Sequence, residues 1–175
     1  MKRRGLLLAA PVLLAGCASP EVGSYRGEQP PLDLRAYFDG RVDGWGLFMD
    51  RQGKVVKRFT VAMDCSWRGD EGVLDEHFVF SDGTRQQRVW HLRRGADGRY
   101  TGRAGDVVGE AQGQAAGNAF HWNYTLALPV DGRVWDVQMD DWMFLVDRDV
   151  LLNRTTMSKF GLRLGEVMIS FRRPR

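Results

Sequence analysis

The residues best placed to do chemistry are a carboxylate and a guanidinium that alternate with aromatic side chains. Glu76 lies two residues before Phe78, and Arg88 lies two residues before Trp90. Residues two apart on a strand point to the same face, so this spacing places two charged groups on otherwise apolar faces. Such groups can pair with each other or hold the polar head of a ligand, and a carboxylate there can act as a general acid or base.

Both charged residues flank the turn at Asp82-Gly83. The apolar faces of the two strands lie on the same side of the hairpin only if even-numbered residues lie opposite even-numbered residues. A three-residue loop beginning at Asp82 gives this pairing. This loop pairs Phe78 with Arg88. Glu76 is then predicted to lie diagonal to Arg88, within reach of a long side chain.

Asp140 is a further candidate. Asp140 and Asp141 are adjacent on a predicted strand, so they point to opposite faces and are not expected to act as a paired acid and base. We assign Asp140 to the interior because it shares its face with Trp142, where an apolar segment changes to a polar one. That change indicates either a pocket mouth or the place where the strand leaves the core. Asn153 and Arg154, on the next strand, are the expected partners.

Other reactive residues lack the spacing of known motifs. The three histidines lie on different predicted strands and none forms an HExxH pair, so we expect no metal site. The sequence contains no GxSxG, Walker or GxGxxG motif, and we expect no cofactor. Cys65 alternates with apolar residues and is predicted to be a buried thiol. Catalysis is left open, with Glu76, His121 and Asp140 as candidates.

Apolar and polar residues alternate with a period of two along most of the chain, which predicts that these side chains lie on β-strands. Strands are predicted at 42–51, 55–67, 74–80, 88–92, 106–115, 120–128, 133–146, 150–159 and 162–172. Short Gly-containing turns separate them, and one helical turn is possible at 32–38. Consecutive hairpins predict an all-β fold, a single antiparallel up-and-down, lipocalin-like β-barrel of about ten strands.

Six tryptophans are distributed over the predicted strands. A small barrel can be filled by side chains or can hold one ligand, and aromatic residues are common in both cases. The sequence therefore leaves open whether the barrel is hollow. If it is hollow, the residues expected to bind a ligand are Glu76, Phe78, Arg88, Trp90, Trp122, Asp140, Trp142 and Arg154.

The N-terminal residues predict a secretory leader. Basic residues at positions 2–4 precede an apolar run at 5–15, which is roughly half of the ~20 residues that a membrane-spanning helix needs. Leu14-Ala15-Gly16-Cys17 resembles the lipobox of bacterial lipoproteins, in which the cysteine thiol takes a diacylglycerol. We expect a signal peptide at 1–16, lipidation of Cys17, a flexible tether at 17–31 and the barrel at 32–175.

These features set the expected location and partners. The residue that follows Cys17 is Ala18, whereas an Asp there would retain a lipoprotein in the inner membrane. This position therefore resembles that of lipoproteins anchored in the outer membrane, and we expect a lipid anchor there on the periplasmic face. The expected partners are the membrane, through acylated Cys17, and the lipoprotein maturation and sorting machinery. Loss of the three basic residues at 2–4 leaves 22 basic against 22 acidic residues, which argues against nucleic-acid binding. With Cys17 acylated, Cys65 has no disulfide partner, and we expect a monomer.

Several spaced motifs resemble one family. They are Gly109-Glu110-Ala111, Pro129-Val130-Asp131-Gly132-Arg133, Asp140-Asp141-Trp142-Met143-Phe144, Asn153-Arg154, Met157-Ser158-Lys159-Phe160-Gly161 and Gly165-Glu166-Val167. With them, the chain from about residue 32 to its C-terminus is similar to the proteobacterial lipoprotein family of the domain of unknown function 3833. The resemblance implies no assigned reaction. Members of that family are often encoded beside enzymes that modify fatty-acyl chains, which implies a lipid-related role.

From these observations we expect the barrel to bind or shuttle an apolar ligand, either a fatty acid or a phospholipid-like molecule. One alternative is a lipid-modifying enzyme of the hydratase or isomerase type on the same barrel, with Glu76, His121 or Asp140 as acid or base. The other alternative is a structural envelope lipoprotein with a filled barrel.

Overall fold

The structure, a computed structural model, describes residues 20–174, and these form one closed barrel of ten antiparallel strands. The strands are β1 (Gly40–Asp50), β2 (Val55–Arg68), β3 (Glu71–Phe80), β4 (Arg85–Arg94), β5 (Arg99–Arg103), β6 (Val107–Ala116), β7 (Ala119–Val130), β8 (Arg133–Leu145), β9 (Val150–Lys159) and β10 (Leu162–Arg172). Each strand pairs with its neighbours in sequence, and β1 pairs with β10. The predicted up-and-down barrel is confirmed.

The short strand β5 was not predicted from the sequence. Its five residues include Gly102, and only Tyr100 is a large apolar residue that faces the interior. Because one large apolar residue does not make an alternating pattern, the period-two signal is absent there. The barrel nevertheless needs this strand, since β5 bridges β4 and β6 in the closed sheet.

A single helical turn, α1 (Leu34–Tyr37), closes one end of the barrel. The Asp33 side chain accepts hydrogen bonds from the backbone N–H groups of Arg35 and Ala36, which caps the turn. Leu34 and Tyr37 are buried against the main apolar cluster of the barrel. We call this end the closed end; the opposite end, where the β1–β2, β3–β4, β7–β8 and β9–β10 hairpins turn, is the open end.

Residues that precede α1 lie on the outer wall. The chain forms a 3₁₀ turn at Val22–Tyr25, and the Tyr25 ring packs edge-on against Trp142 and Phe144, with ring centroids 5.9 and 5.2 Å away. A Cβ atom on Gly117 would clash with the Tyr25 carbonyl oxygen, so glycine allows this close approach. The described part of the segment predicted to be a flexible tether is therefore packed on the barrel.

The predicted signal peptide and Cys17 lie outside the described residues. Among residues 20–174, no helix has the length and apolar character that a membrane crossing requires.

The β3–β4 hairpin has the predicted parity but a different register. Glu76 lies directly opposite Arg88, not diagonal to it. The turn starts one residue earlier than expected, because Phe80 and Thr84 close the loop through an N–H to carbonyl bond of 2.9 Å. Asp82 stabilises this turn by accepting bonds from the backbone N–H and the hydroxyl of Thr84, at 3.0 and 2.6 Å.

Candidate functional site

The barrel interior contains a cavity of about 780 Å³. Turn residues of the open end, including Thr84 and Pro129, line it, whereas Leu34 and Phe38 lie at its floor. The volume falls within the roughly 300–1,000 Å³ of small-molecule sites, and the walls are mostly apolar, as in such sites. The barrel is therefore hollow from its open end down to the helical turn α1.

Aromatic side chains form much of the wall. Near the open end, Phe78 packs against Phe59 and Phe80, with ring centroids 5.7 and 6.1 Å apart. Deeper in the barrel, Trp90 makes edge-to-face contacts with Trp122 at 5.8 Å and with Tyr124 at 5.3 Å. These contacts fix the shape of the cavity, because aromatic pairs stabilise one relative geometry.

A group of polar side chains interrupts one side of the apolar wall about halfway along the strands, and we call it the polar belt. Its members come from β3, β4, the β5–β6 turn, β7, β8 and β9. They are Glu76, Arg88, Asp106, Tyr124, Asp141, Asn153 and Thr155. A belt of this kind can orient a ligand whose remaining surface is apolar.

Arg88 is held by Asp106. Its Nη2 donates to Asp106 Oδ2 at 2.6 Å and its Nε to Oδ1 at 3.1 Å, and the two side chains are only 17% and 27% exposed. Burial alone lowers the pKa of Arg88, but the nearby Glu76, Tyr124 and Asp106 raise it, so the net shift is upward. The guanidinium is a permanent cation whose fork is already occupied by a carboxylate.

Glu76, in contrast to Arg88, has an oxygen atom without a hydrogen-bond partner. Its side chain is buried, and its Oε2 has no hydrogen-bond partner among the described residues. Burial raises the pKa of Glu76 to about 7; Arg88 opposes this shift, and Asp106 and Asp141 add to it. The carboxyl group therefore exchanges its proton near neutral pH, and its Oε2 is buried without a hydrogen-bond partner.

Asp141 is the second carboxyl group with such a shift. Burial raises the pKa of Asp141 to about 7, although hydrogen bonds from Asn153 and Thr155 lower it. Asn153 Nδ2 donates to Asp141, and Thr155 Oγ1 donates to Asn153 Oδ1 at 3.3 Å. Burial, together with the charge of Asp141, also raises the pKa of Tyr124, whose hydroxyl stays neutral.

Four candidates from the sequence face outward, which corrects the interior assignment made for Asp140. Trp142 and Arg154 lie opposite each other on the outer wall, and Arg154 pairs with Glu166. His121 stacks on Trp142 with ring centroids 4.1 Å apart, and its Nε2 lies 2.5 Å from Asp140 Oδ1. None of these four residues lines the cavity.

The cause of this error is the N-terminal segment. The sequence suggested an inward face for the even positions of β8 because Trp142 and Phe144 are large aromatic residues. Tyr25 covers both of them from outside, so these rings are partly shielded without entering the barrel. The odd positions, including Met139 and Asp141, face the cavity instead.

The other five residues expected at the site line the cavity: Glu76, Phe78, Arg88, Trp90 and Trp122. Sequence reasoning missed four members of the belt, Asp106, Tyr124, Asp141 and Thr155. Tyr124 lies two residues after Trp122 on the same predicted strand, so the alternation could have placed Tyr124 on the inner face. Asp106 lies in a turn, where no period indicates the direction of a side chain.

Two further expectations concern metal and thiol chemistry. Within residues 20–174, no three His, Cys, Asp or Glu side chains cluster in a way that could hold a metal ion. Cys65 is buried, and burial together with nearby carboxylates raises the pKa of its thiol to about 12. A protonated, buried thiol is a poor nucleophile.

A closed antiparallel barrel with one covered end, one open end and an internal cavity defines a lipocalin-like protein. A solved structure with this architecture is the S-type phycobiliprotein lyase CPES from Guillardia theta, with a TM-score of 0.60 and 6% sequence identity over 89% of this chain and 99% of that chain. The family model described as "Protein of unknown function (DUF3833)" matches residues 11–173, and the chain belongs to that family. A comparison with curated proteins finds no match.

Proposed function

We propose that the barrel binds a lipid-like ligand, with the apolar body of the ligand in the cavity and an uncharged polar group at the polar belt. The observation that carries this proposal is the unpartnered Oε2 of buried Glu76, whose side chain lines a mostly apolar, open cavity of about 780 Å³. An unsatisfied buried oxygen costs free energy, and a ligand hydroxyl that donates to it removes that cost.

Charge inside the cavity favours a neutral group over a free carboxylate at this depth. The belt contains Glu76, Asp106 and Asp141 against a single cation, Arg88, whose donors are engaged by Asp106. A bound anion next to ionised Glu76 would be repelled. A hydroxyl, an ester or a protonated acid avoids this repulsion.

Cations at the mouth suit an anionic headgroup there. Lys57 and Arg85 line the open end of the cavity, and Lys57 Nζ lies 2.8 Å from Asp82. A phospholipid-like ligand, with an ester at the polar belt and its phosphate at these cations, places its charge where water still solvates it. A fatty acid or a phospholipid-like molecule remains the proposed ligand class.

The proposed location is the periplasmic face of the outer membrane, with the barrel anchored through lipidated Cys17. This part of the proposal rests on the lipobox-like sequence and on Ala18. In this location the barrel could collect an acyl-chain ligand that leaves the bilayer. Binding or shuttling, and not catalysis, is the leading function.

Native mass spectrometry of the chain from residue 18 onward, which contains every described residue, tests ligand binding. Oleyl alcohol and oleic acid form a matched pair of neutral and ionisable probes. We expect both to bind at about pH 5, and oleic acid to bind more weakly at about pH 8, where Glu76 is ionised. Equal binding of oleic acid at both pH values would contradict a head placed at the belt.

Matched variants at neighbouring positions locate the binding site. Val167 lines the cavity, whereas Met168 faces outward and is 47% exposed. Val167→Trp should fill part of the cavity and abolish binding of oleyl alcohol. Met168→Trp should leave binding unchanged. Loss of binding in both variants, or in neither, would show that the ligand does not occupy the barrel.

A second candidate function is a lipid-modifying enzyme of the hydratase or isomerase type. The observation that favours it is a pair of buried carboxyl groups, Glu76 and Asp141, with pKa values of about 7 in one cavity, since such shifts are frequent at catalytic sites. His121 and Asp140 lie outside the cavity and are not part of this candidate. Incubation with an unsaturated fatty alcohol should then give an isomerised or hydrated product with wild type, and none with Glu76→Gln.

A further inference from the structure

Exposed apolar side chains are concentrated at the open end of the barrel. Two neighbouring hairpins, β7–β8 and β9–β10, carry six of them, which we call the apolar rim: Val130, Val134, Trp135, Phe160, Leu162 and Leu164. Their exposure ranges from 42% for Trp135 and Leu164 to 87% for Phe160. A contiguous set of this kind marks an interaction surface more often than a chance arrangement does.

Phe160 has a backbone conformation that is unfavourable for phenylalanine. It lies in the β9–β10 turn with Gly161, and both residues have positive φ angles, 52° and 76°. The neighbouring β7–β8 turn has the same arrangement with Asp131-Gly132, at 49° and 75°. Asn, Asp and Gly tolerate the left-handed conformation at the first position of such a turn, whereas a bulky residue is strained there. The Phe160 ring is exposed, so packing in the barrel core does not offset this strain.

Trp135 and Lys159 connect the two hairpins. Lys159 Nζ lies 5.0 Å from the centroids of both the Trp135 ring and the Phe160 ring, and it donates to the carbonyl of Asp136 at 3.0 Å. An ammonium group seated among exposed aromatic rings is the arrangement that suits the boundary between lipid headgroups and acyl chains.

Charge at this end is complementary to an anionic surface. The four hairpin segments at 50–58, 81–85, 129–136 and 159–166 contain eight Lys and Arg residues against four Asp residues and Glu166, which pairs with Arg163. The fifth turn of this end adds Asp106, which pairs inside the barrel with Arg88. The open end is therefore positively charged around an apolar rim.

We propose that the apolar rim docks the open end of the barrel onto a lipid bilayer with anionic headgroups, with Phe160 and Trp135 inserted at the level of the headgroups. The cavity mouth then faces the membrane, so that an acyl chain can pass between bilayer and barrel without crossing water. This docking surface goes beyond the proposed ligand site, and the surface binds lipid whether or not the cavity is occupied.

Co-sedimentation of the chain from residue 18 onward with vesicles tests the docking surface, because this chain has no acyl anchor and contains the whole barrel. We expect binding to vesicles of phosphatidylethanolamine with phosphatidylglycerol, and weaker binding to phosphatidylcholine alone or at high salt. Phe160→Asn should lower the affinity about tenfold or more, the loss that corresponds to one aromatic side chain no longer buried in lipid.

Phe160→Asn separates docking from folding, because asparagine suits the turn and the variant should unfold at the same temperature as wild type or higher. Trp45→Asn is the matched control, since Trp45 is 53% exposed on β1 away from the rim. We expect its vesicle affinity to equal that of wild type. Unchanged affinity in Phe160→Asn, or equal losses in both variants, would overturn the docking proposal.

Two further readouts complete the test. Oleyl alcohol should bind Phe160→Asn as it binds wild type, so a failure of ligand binding is distinguishable from a failure of docking. Analytical ultracentrifugation without vesicles should show monomers for both proteins. If wild type self-associates through this rim and ignores vesicles, the partner is a second copy of the chain and the membrane proposal is wrong.

Discussion

Glu76 lies directly opposite Arg88 in the β3–β4 hairpin, yet the guanidinium donates its hydrogen bonds to Asp106. The carboxyl group of Glu76 therefore remains buried with one free oxygen. A carboxyl group in this position holds a proton near neutral pH. The belt thus combines one fixed ion pair with two proton-exchanging carboxyl groups, Glu76 and Asp141.

Glu76→Gln should reduce the pH dependence of stability. The folded-state pKa of Glu76 is raised to about 7 from an ordinary value near 4.5, so the folded protein holds a proton that the unfolded chain releases between these values. Stability from this group is complete below about pH 4.5 and is lost as the pH rises through about 7. A tenfold difference between the two proton affinities corresponds to about 1.4 kcal/mol. Urea unfolding at about pH 5 and about pH 8 measures the loss.

The control is Glu71→Gln, which makes the same change on an exposed residue of the same strand. Its difference in unfolding free energy between the two pH values should equal that of wild type. A Glu76→Gln profile that superimposes on the wild-type profile would mean that Glu76 is ionised in the folded protein at neutral pH.

Arg88 and Asp106 should show strong energetic coupling. Loss of one partner of a fully buried pair costs about 3–5 kcal/mol, and the partial exposure of this pair reduces the expected loss to about 2–3 kcal/mol. Asp106→Asn and Arg88→Met should each show that loss, and the double variant should lose less than the sum. Denaturant unfolding of the four proteins gives the coupling free energy.

The exposed pair of Arg103 and Glu110, on neighbouring strands, provides a comparison for that cycle. Its side chains are 72% and 38% exposed, with a Nε–Oε1 distance of 3.2 Å. We expect a coupling of about 0–1 kcal/mol there. Equal couplings in the two cycles would show that burial does not strengthen the Arg88–Asp106 pair.

Gly46→Ala should destabilise the barrel, because the added Cβ atom would clash with the ring of Phe59, which lines the cavity. Overpacking of this kind costs about 1–3 kcal/mol. Gly105→Ala is the control, since no atom lies within 4 Å of the position of its Cβ. Thermal unfolding should separate the two variants, and similar melting temperatures would mean that Phe59 moves aside freely.

Cys17→Ser should abolish acyl labelling and release the protein from the membrane fraction or leave it unprocessed, because the predicted lipid anchor is lost. Radiolabelled fatty acid and fractionation of the cell envelope measure both effects. Cys65→Ser serves as the matched control and should retain label and membrane location. Undiminished labelling of Cys17→Ser would show that the lipobox-like sequence is not used.

Alternation along the chain was enough to predict the barrel and part of its lining. Period-two alternation is a local property, so β2, β9 and β10 could be located to within a residue, and Glu76, Phe78 and Arg88 were assigned to the correct faces. The shared parity of the β3 and β4 faces also follows from alternation alone, since a strand with one apolar face permits only registers that keep that face inside.

Long-range packing selects which face of β8 is inside and which partner each charge finds. Both faces of β8 carry large apolar residues, so alternation could not choose between Asp140 and Asp141; Tyr25, more than a hundred residues earlier in the chain, covers the outer face. The partner of Arg88 comes from a turn 18 residues away that only barrel closure brings near. Contacts of this kind depend on three-dimensional packing, which a local pattern does not encode.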